Sequence, residues 1–522
     1  MARATVPVSA SIFANTDAGV ALKDGARHNT IGGTTAATRN IIAGSTDGVL
    51  IEKSSGNKVT GNYIGTGPDG TESGFGNGTG VHLGQNATDN VIGGAAATAR
   101  NVISGNTSDG VTLDDGADSN TIAGNYIGTE FAASFALPND GNGISIDGAQ
   151  NTVMNNLISG NTMAGVAIDS GSSNTITGNF IGTDLEGASA LANGSDGVSI
   201  GGAQNTVSKN VISGNGGDGV SIDGGQGNTI LSNHIGTDLD GAAALANTTN
   251  GVSINGAQNT VRSNFISGNL GDGVAIDGGT ANTIQGNSIG VDATGAGALK
   301  NNMNGVTIKG GQTSVLKNVI SGNTGDGISI EAGNGDTILG NDIGTDSKGK
   351  AAVPNGGDGL HAKNSVANIF GGLLAAQRNV IGGNTGDGIH LELASSATIQ
   401  GNSIGADATG KLSLGNGGDG IHMEGSSSNT VGGSKKGEGN IINYNIGDGI
   451  HIESMGNMNT IKGNLIGTDA AAKKDRGNMG EGIHIDKSDD NTIGGIATGE
   501  GNTIAFNKKN GILFDAGKNN VI

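Results

Sequence analysis

Short apolar stretches recur along the whole chain, separated by Gly, Asn and Asp. In the segment that begins at Asn101 they are Val102-Ile103, Val111-Thr112-Leu113 and Thr121-Ile122. Apolar and polar residues alternate within these stretches, which predicts short β-strands rather than helices. A strand of three residues buries almost no apolar surface alone. We therefore expect each strand to stack on its equivalent in the next repeat, at about 4.8 Å, to form parallel sheets with Ile and Val inward.

The repeat is marked by the second apolar residue of the NVI or NYI triplets, which occurs eighteen times. From Ile103 to Ile343 successive anchors are alternately 23 or 24 and 31 residues apart, so a minimal coil alternates with one that carries a longer loop. This spacing predicts an all-β parallel β-helix solenoid of about 18 coils and three short parallel sheets, forming a single domain over residues 1–522. The anchors are Phe13, Ile42, Ile64, Ile103, Ile127, Ile158, Ile181, Ile212, Ile235, Ile266, Ile289, Ile320, Ile343, Ile381, Ile404, Ile442, Ile466 and Ile504.

Two polar columns explain how the corners of the coil are held. An Asn precedes the anchor by two residues in every coil except the first, as at Asn101 and Asn210, and a second Asn column lies in the NTI triplets. Stacked amides can donate and accept from coil to coil, which predicts an asparagine ladder that satisfies buried backbone groups. A glycine column, which includes Gly219 and Gly327, is expected to supply a positive φ at a corner.

The phrases NxIxGN, DGxxI and NTIxGN resemble the repeat of the pectate-lyase-like superfamily and of large bacterial surface β-helix proteins, over essentially the whole chain. The resemblance implies a right-handed parallel β-helix. Its members include polysaccharide lyases, epimerases, hydrolases, tailspikes and adhesins, so it implies no single activity. The Asp-Pro-His-Glu motif of alginate epimerases is absent, and Arg39, Arg100 and Arg378 share one insertion loop, which indicates a structural role.

The most distinctive feature of the C-terminal third is a column of histidines in the strand that follows each DG or EG pair. An outward position between two inward apolar residues should stack these imidazoles about 4.8 Å apart. The candidate ligand-binding residues are His361, His390, His422, His451, His484, Glu392, Glu424 and Glu453. The flanking columns are Asp358, Asp387, Asp419, Asp448 and Glu481 on one side, and Lys363, Glu392, Glu424, Glu453 and Asp486 on the other. Three functional alternatives are open: metal binding, recognition of a sugar chain, or general acid–base chemistry. A fourth is duplication of one histidine without function.

Aspartates recur in the IGTD loops, where carboxylates and glycines together are typical of calcium sites. The candidate metal ligands are Asp184, Asp238, Asp292 and Asp346, and calcium is the cofactor that such loops would bind. The alternative is that these aspartates only form turns. The nine-residue period of the calcium β-roll is not kept.

Composition excludes several classes of protein. The formal charge of −20 argues against binding to nucleic acid or anionic lipid, because both need a basic surface. The chain has no Cys, which excludes disulfides and Cys-based zinc sites. No apolar run is long enough for a membrane span, and the first residues lack the apolar core of a signal peptide.

These features favour an extracellular or cell-surface rod for adhesion or scaffolding, with a polysaccharide or cell-surface glycan as a candidate partner. The alternative is a polysaccharide-active enzyme, of the lyase, epimerase or hydrolase type, acting along an outward face. Neither end of the chain carries a recognisable polar cap. We therefore expect either a segment of a longer repeat protein or end-to-end self-association.

Overall fold

A computed structural model of the chain describes residues 15–522. The described residues contain 52 β-strands and three 3-10 helices, at Ala36–Thr38, Ala97–Ala99 and Ala375–Gln377. The anchor Phe13 of the first predicted coil lies outside the described residues. None of the described helices has the length and apolar character needed to cross a membrane.

The chain is divided into two compact units. The first consists of the residues up to Leu185 together with Leu191–Val198, and the second of Glu186–Ala190 together with Ser199–Ile522. In each unit every full coil contributes, in chain order, one strand to each of three parallel sheets, here called sheets 1, 2 and 3. Over the described residues, sheets 1, 2 and 3 contain 18, 17 and 17 strands, which confirms an all-β fold of about 18 coils. That residues 1–522 form one domain stays a prediction.

The strands of the first unit are two to eight residues long. Those of sheet 1 are Asn15–Leu22, Ser45–Ile51, Thr79–Leu83, Val111–Leu113, Ile144–Ile146 and Val166–Ile168. Those of sheet 2 are Thr30–Gly32, Lys58–Thr60, Val91–Gly93, Thr121–Ala123, Thr152–Met154 and Thr175–Thr177. Those of sheet 3 are Ile41–Ile42, Tyr63–Ile64, Val102–Ile103, Tyr126–Ile127, Leu157–Ile158 and Phe180–Ile181. Val198–Ile200, of the sheet 1 class, contains the division between the units.

The strands of the second unit follow the same order. Those of sheet 1 are Val220–Asp223, Val252–Asn255, Val274–Gly278, Val306–Ile308, Ile328–Glu331, Leu360–Lys363, Ile389–Glu392, Ile421–Glu424, Ile450–Glu453, Ile483–Asp486 and Ile512–Asp515. Those of sheet 2 are Thr206–Ser208, Thr229–Leu231, Thr260–Arg262, Thr283–Gln285, Ser314–Leu316, Thr337–Leu339, Ile369–Phe370, Thr398–Ile399, Thr430–Gly432, Thr460–Lys462 and Thr492–Ile493. Those of sheet 3 are Val211–Ile212, His234–Ile235, Phe265–Ile266, Ser288–Ile289, Val319–Ile320, Asp342–Ile343, Val380–Ile381, Ser403–Ile404, Ile441–Ile442, Leu465–Ile466 and Thr503–Ile504.

The core of each coil is built from inward Ile, Val and Leu side chains. In most strands of sheet 1 the two apolar residues on either side of the outward position are buried, as at Val111 and Leu113, and the anchor Ile127 of sheet 3 is equally inaccessible. Because side chains alternate across a strand, the residue between these two apolar residues faces outward. This alternation places the histidine column on the outer surface.

The asparagine ladder is confirmed by its hydrogen bonds. Asn233 donates its backbone N–H to Asn264 Oδ1 at 2.8 Å, and its Nδ2 donates to Val207 O at 2.9 Å. Its own Oδ1 accepts from the backbone N–H and the Nδ2 of Asn210, at 2.9 and 3.0 Å. One amide therefore links three successive coils and pairs backbone groups that a corner would otherwise leave unsatisfied.

The prediction that the glycine column requires a positive φ is wrong. Gly219 is not among the residues with positive φ; these include instead several glycines directly after sheet 3 strands, such as Gly236 at 82°. A Cβ at Gly219 would lie 2.5 Å from Cγ2 of Ile235 and 2.6 Å from the carbonyl oxygen of Gly251. Close packing between coils therefore explains this column, because no side chain fits there.

Candidate functional site

The five predicted histidines lie on five successive strands of sheet 1 in the second unit. The strands pair in register, with His361 beside His390 and each later histidine beside the next. Neighbouring ring centroids are 4.6 to 5.1 Å apart, and the ring planes are within 9° of parallel. The side chains are 17 to 23% exposed. We call this stack the histidine ladder; it confirms the predicted register and outward orientation.

A file of aspartates runs beside the histidine ladder on the N-terminal side of its strands. One carboxylate oxygen of each aspartate accepts the backbone N–H of the acidic residue in the next coil, at 2.5 to 2.8 Å. The other oxygen faces Nδ1 of the histidine in that next coil, at 3.1 to 3.2 Å for four pairs and 3.6 Å for Asp326 and His361. This aspartate ladder consists of Asp326, Asp358, Asp387, Asp419 and Asp448.

These carboxylates change the protonation of the ladder. Burial opposes the protonated form of His422, but hydrogen bonding and charge attraction from Asp387 outweigh it and raise the pKa of His422 to about 9. The Asp326 carboxylate, 3.6 Å from Nδ1, is the main reason that the pKa of His361 is raised. Burial opposes the ionised form of Asp387, but the contact with His422 favours that form more strongly. The pKa of Asp387 is therefore lowered. At neutral pH, Asp387 and His422 therefore form an ion pair.

The Nε2 atoms of the histidine ladder face a third file, which contains the predicted ligands Glu392, Glu424 and Glu453. Nε2 of His422 is 3.1 Å from Glu453, and that of His361 is 3.4 Å from Glu392. The Nε2 atoms of His361, His390 and His484 are buried, and none of them makes a contact with hydrogen-bond geometry; the glutamate oxygens nearest to Nε2 of His361 and His390 are 3.4 and 4.0 Å away. A buried nitrogen without a partner is costly in a purely structural role.

The ladder brings donor atoms together in the numbers that a metal ion needs. In one group, His422, His451 and Glu453 each offer one donor atom, and the three atoms lie within 4.8 Å of one another. Three further groups combine two ladder histidines with one aspartate of the aspartate ladder. Metal-ligating histidines generally donate their other ring N–H to a carboxylate, which fixes the tautomer and orients the ring. The aspartate ladder is placed to do this at Nδ1, which leaves Nε2 as the ligand atom.

The four aspartates predicted to bind calcium lie in loops that follow strands of sheet 3. Oδ1 of Asp238 accepts the backbone N–H groups of Ala242 and Ala243 at 2.7 and 3.1 Å. Asp346 makes the equivalent bonds in its own loop, and Asp292 accepts from Thr294 and Ala296. Among the described residues, none of the metal-ligand groups includes these aspartates or Asp184. Calcium binding by the loops stays a prediction.

Two residues of interest were missed by sequence reasoning. Asp326 starts the aspartate ladder, although its own coil carries Ser329 at the histidine position; its DG dipeptide was the available signal. His82 occupies the same outward position in the first unit, and its two ring nitrogens lie 3.2 Å from Asp47 and 2.9 Å from Asp114. The hydrogen bond to Asp47, opposed by burial and assisted by Asp114, raises the pKa of His82 to about 9. Like His422, this imidazolium has a carboxylate beside each of its ring nitrogens.

Comparison with known proteins identifies the family to which this fold belongs. Residues 3–181 and 182–297 match the model of the right-handed β-helix region family. The chain belongs to this family. Residues 353–478, which include four of the five ladder histidines, match the model described as periplasmic copper-binding protein (NosD). No curated protein matches the chain.

Several solved structures are similar at low identity. A double mutant of the periplasmic alginate epimerase AlgG is 13% identical and covers 56% of this β-helix and 72% of its own chain, with a TM-score of 0.40. The A-module of mannuronan C-5 epimerase AlgE4 from Azotobacter vinelandii is 14% identical over 82% of this chain and 86% of its own, with a TM-score of 0.31. PfbA, a surface adhesin of Streptococcus pneumoniae, is 9% identical over 73% and 85%, with a TM-score of 0.30. These scores assign no function.

Proposed function

We propose that the chain is a non-catalytic β-helix scaffold that binds transition-metal ions along the histidine ladder. The observation that carries the proposal is the row of stacked imidazoles whose Nδ1 atoms face carboxylates 3.1 to 3.2 Å away in four of five cases. This arrangement leaves Nε2 atoms of successive coils beside one another and beside glutamate oxygens. Imidazole and carboxylate donors suit Cu²⁺ and Zn²⁺, and Cu²⁺ binds such sites most tightly among the divalent first-row ions.

The match of residues 353–478 to a family described as periplasmic copper-binding supports this proposal, because it coincides with most of the histidine ladder. The same description supports a location outside the cytoplasm, in the periplasm or at the cell surface. Adhesion or scaffolding at such a surface, with a glycan as partner, is the role that we propose for the repeat as a whole. Repeat proteins present extended surfaces of this kind.

Titration of the metal-free protein with Cu²⁺ tests the proposal. We expect binding that depends on the histidine ladder, with nitrogen ligation visible in the electron paramagnetic resonance spectrum. Changing His422 and His451 together to Ala should abolish the tightest site, because this removes two of the three donors grouped with Glu453. A matched control is His28→Ala, which removes an exposed histidine of the first unit. Equal affinity and equal spectra for the double variant and the wild type would overturn the proposal.

A second candidate function is a polysaccharide-active enzyme. One observation favours it: His422 lies 3.1 Å from both Asp387 and Glu453, so that an acid and a base are joined by one imidazole. A panel of acidic and neutral polysaccharides, assayed for unsaturated and reducing-end products, tests this reading. Turnover that is lost in His422→Ala would favour the enzyme over the scaffold.

A further inference from the structure

A cavity of about 280 Å³ opens on the outer side of the first unit, far along the chain from the histidine ladder. It lies at the corner between sheets 2 and 3, beside the loop that contains the 3-10 helix Ala97–Ala99. Its walls include Met154, Leu157, Phe180 and Leu185, and Leu185 is 39% exposed. Its volume lies just below the usual range for small-molecule sites, which begins at about 300 Å³.

Arg100 is the charged residue of this cavity. Its guanidinium carbon lies 3.8 Å above the centre of the Tyr126 ring, and Tyr126 itself is 4% exposed. Such a stack holds a guanidinium in place while its edge donors stay available. Arg100 is thus a positive group fixed at the edge of an apolar wall.

Arg100 differs in its hydrogen bonding from Arg39 and Arg378, the arginines at the equivalent position of two other insertion loops. Nε of Arg39 donates to the carbonyl of Gly61 at 3.3 Å, and Nε of Arg378 donates to the carbonyl of Gly401 at 3.0 Å. Nε of Arg100 is buried and has no hydrogen-bond partner, although Gly124, the corresponding glycine, lines the cavity. The structural role predicted for this column therefore describes Arg39 and Arg378 but does not account for Arg100.

The charge around Arg100 favours an anion. A second, smaller cavity of about 90 Å³ shares Ala97 and Arg100 with the first and also contains Arg39, stacked 4.0 Å above the Tyr63 ring. None of the residues that line the two cavities is an aspartate or a glutamate. In a chain with a formal charge of −20, the charged side chains that line these two cavities are both arginines.

We propose that the cavity beside Arg100 binds a small organic carboxylate with an apolar body, such as an aromatic acid. The planar guanidinium matches a carboxylate with two parallel N–H donors, and the Leu157, Phe180 and Met154 side chains would cover the apolar part. A sugar acid fits less well, because its hydroxyl groups would face this apolar wall without hydrogen-bond partners. The site is independent of the metal site proposed for the second unit.

Ligand-observed NMR on the full chain tests the proposal, with benzoate as the probe. Benzyl alcohol serves as its uncharged counterpart and glucuronate as the sugar acid. We expect benzoate to bind with a dissociation constant below about 1 mM and both comparison compounds to bind at least about tenfold more weakly. Arg100→Met should weaken benzoate binding about tenfold or more, since it removes the positive group and keeps most of the stem.

Arg378→Met is the matched control, because it removes the equivalent arginine of the second unit; it should leave benzoate binding unchanged. The comparison of benzoate with benzyl alcohol needs no variant, so it remains decisive if Arg100→Met fails to fold. Equal binding of benzoate and benzyl alcohol, no benzoate binding at about 10 mM, or unchanged binding in a folded Arg100→Met protein would overturn the proposal. Tighter binding of glucuronate than of benzoate would contradict the proposal that the ligand has an apolar body.

Discussion

At the scale of single residues, each ladder histidine is defined by a carboxylate of the preceding coil. The sequence predicts that the imidazoles stack and face outward, because a period of two leaves no other orientation between buried neighbours. It does not predict that Asp387 contacts His422 rather than His390, its neighbour in the same DGIH phrase. That choice depends on the rotamer of the aspartate, which is set by the backbone N–H of Asp419 in the next coil.

Replacing Asp387 by Asn should lower the pKa of His422 from about 9 toward its ordinary value of 6.5. An amide can still accept a hydrogen bond from Nδ1, but it removes the negative charge that stabilises the imidazolium. The pKa is measured by NMR titration of the imidazole resonances. Asp140→Asn, which removes one exposed carboxylate from the first unit, is the control for net charge. An unchanged titration of His422 in the Asp387 variant would contradict this account of the ladder.

The raised pKa of His422 also predicts how stability depends on pH. The folded pKa of about 9 lies above the ordinary value of 6.5, so folding favours the protonated form. This contribution is complete below pH 6.5 and is lost as the pH rises to about 9. The difference in unfolding free energy between the wild type and His422→Gln should therefore shrink across this window in denaturant titrations. A difference that stays constant or grows with pH would contradict the prediction.

At the scale of structural elements, the residues at the corners of each coil stabilise the three sheets as much as the strands do. Strands of sheet 3 have only two residues, so a single strand fixes little by itself. The Asn columns were visible in the sequence as an invariant spacing from the anchor, and the ladder could be predicted from that spacing. The reason for the glycine column could not, because the contact of Gly219 with Gly251 and Ile235 belongs to adjacent coils and follows from how closely they stack.

Asn233→Ala should reduce the free energy of unfolding by about 1 to 3 kcal/mol, because it removes the buried hydrogen bonds that Oδ1 accepts from Asn210 and the one that Nδ2 donates to Val207 O. The measurement is equilibrium unfolding in urea. Ser221→Ala, at an outward position of sheet 1 in the same region, should change stability little. Equal midpoints for the two variants would show that the asparagine ladder does not stabilise the coil.

At the scale of the whole molecule, the sequence repeat predicts the number of coils and sheets but not the features that interrupt uniformity. The histidine ladder was predictable because identical residues mark one strand position in consecutive coils. The cavity beside Arg100 was not, since it is formed by Leu185 from one loop and Ala97 from another, whose packing has no periodic signal. The two proposed sites therefore lie in different compact units, the metal site in the second and the carboxylate site in the first.

This separation makes a final prediction that hydrogen–deuterium exchange with mass spectrometry can check. In a solenoid each coil is stabilised mainly by its neighbours. A bound ligand should therefore slow exchange in the coils that contact it, and this protection should decrease with distance along the chain. Cu²⁺ should protect peptides from the ladder coils, residues 358–486, and leave residues 94–185 unchanged. Benzoate should do the reverse, and each ligand serves as the control for the other. Protection by Cu²⁺ that is lost in the His422 and His451 double variant would tie the effect to the ladder. If either ligand instead protects both regions equally, its binding is not local, and the site proposed for it is wrong.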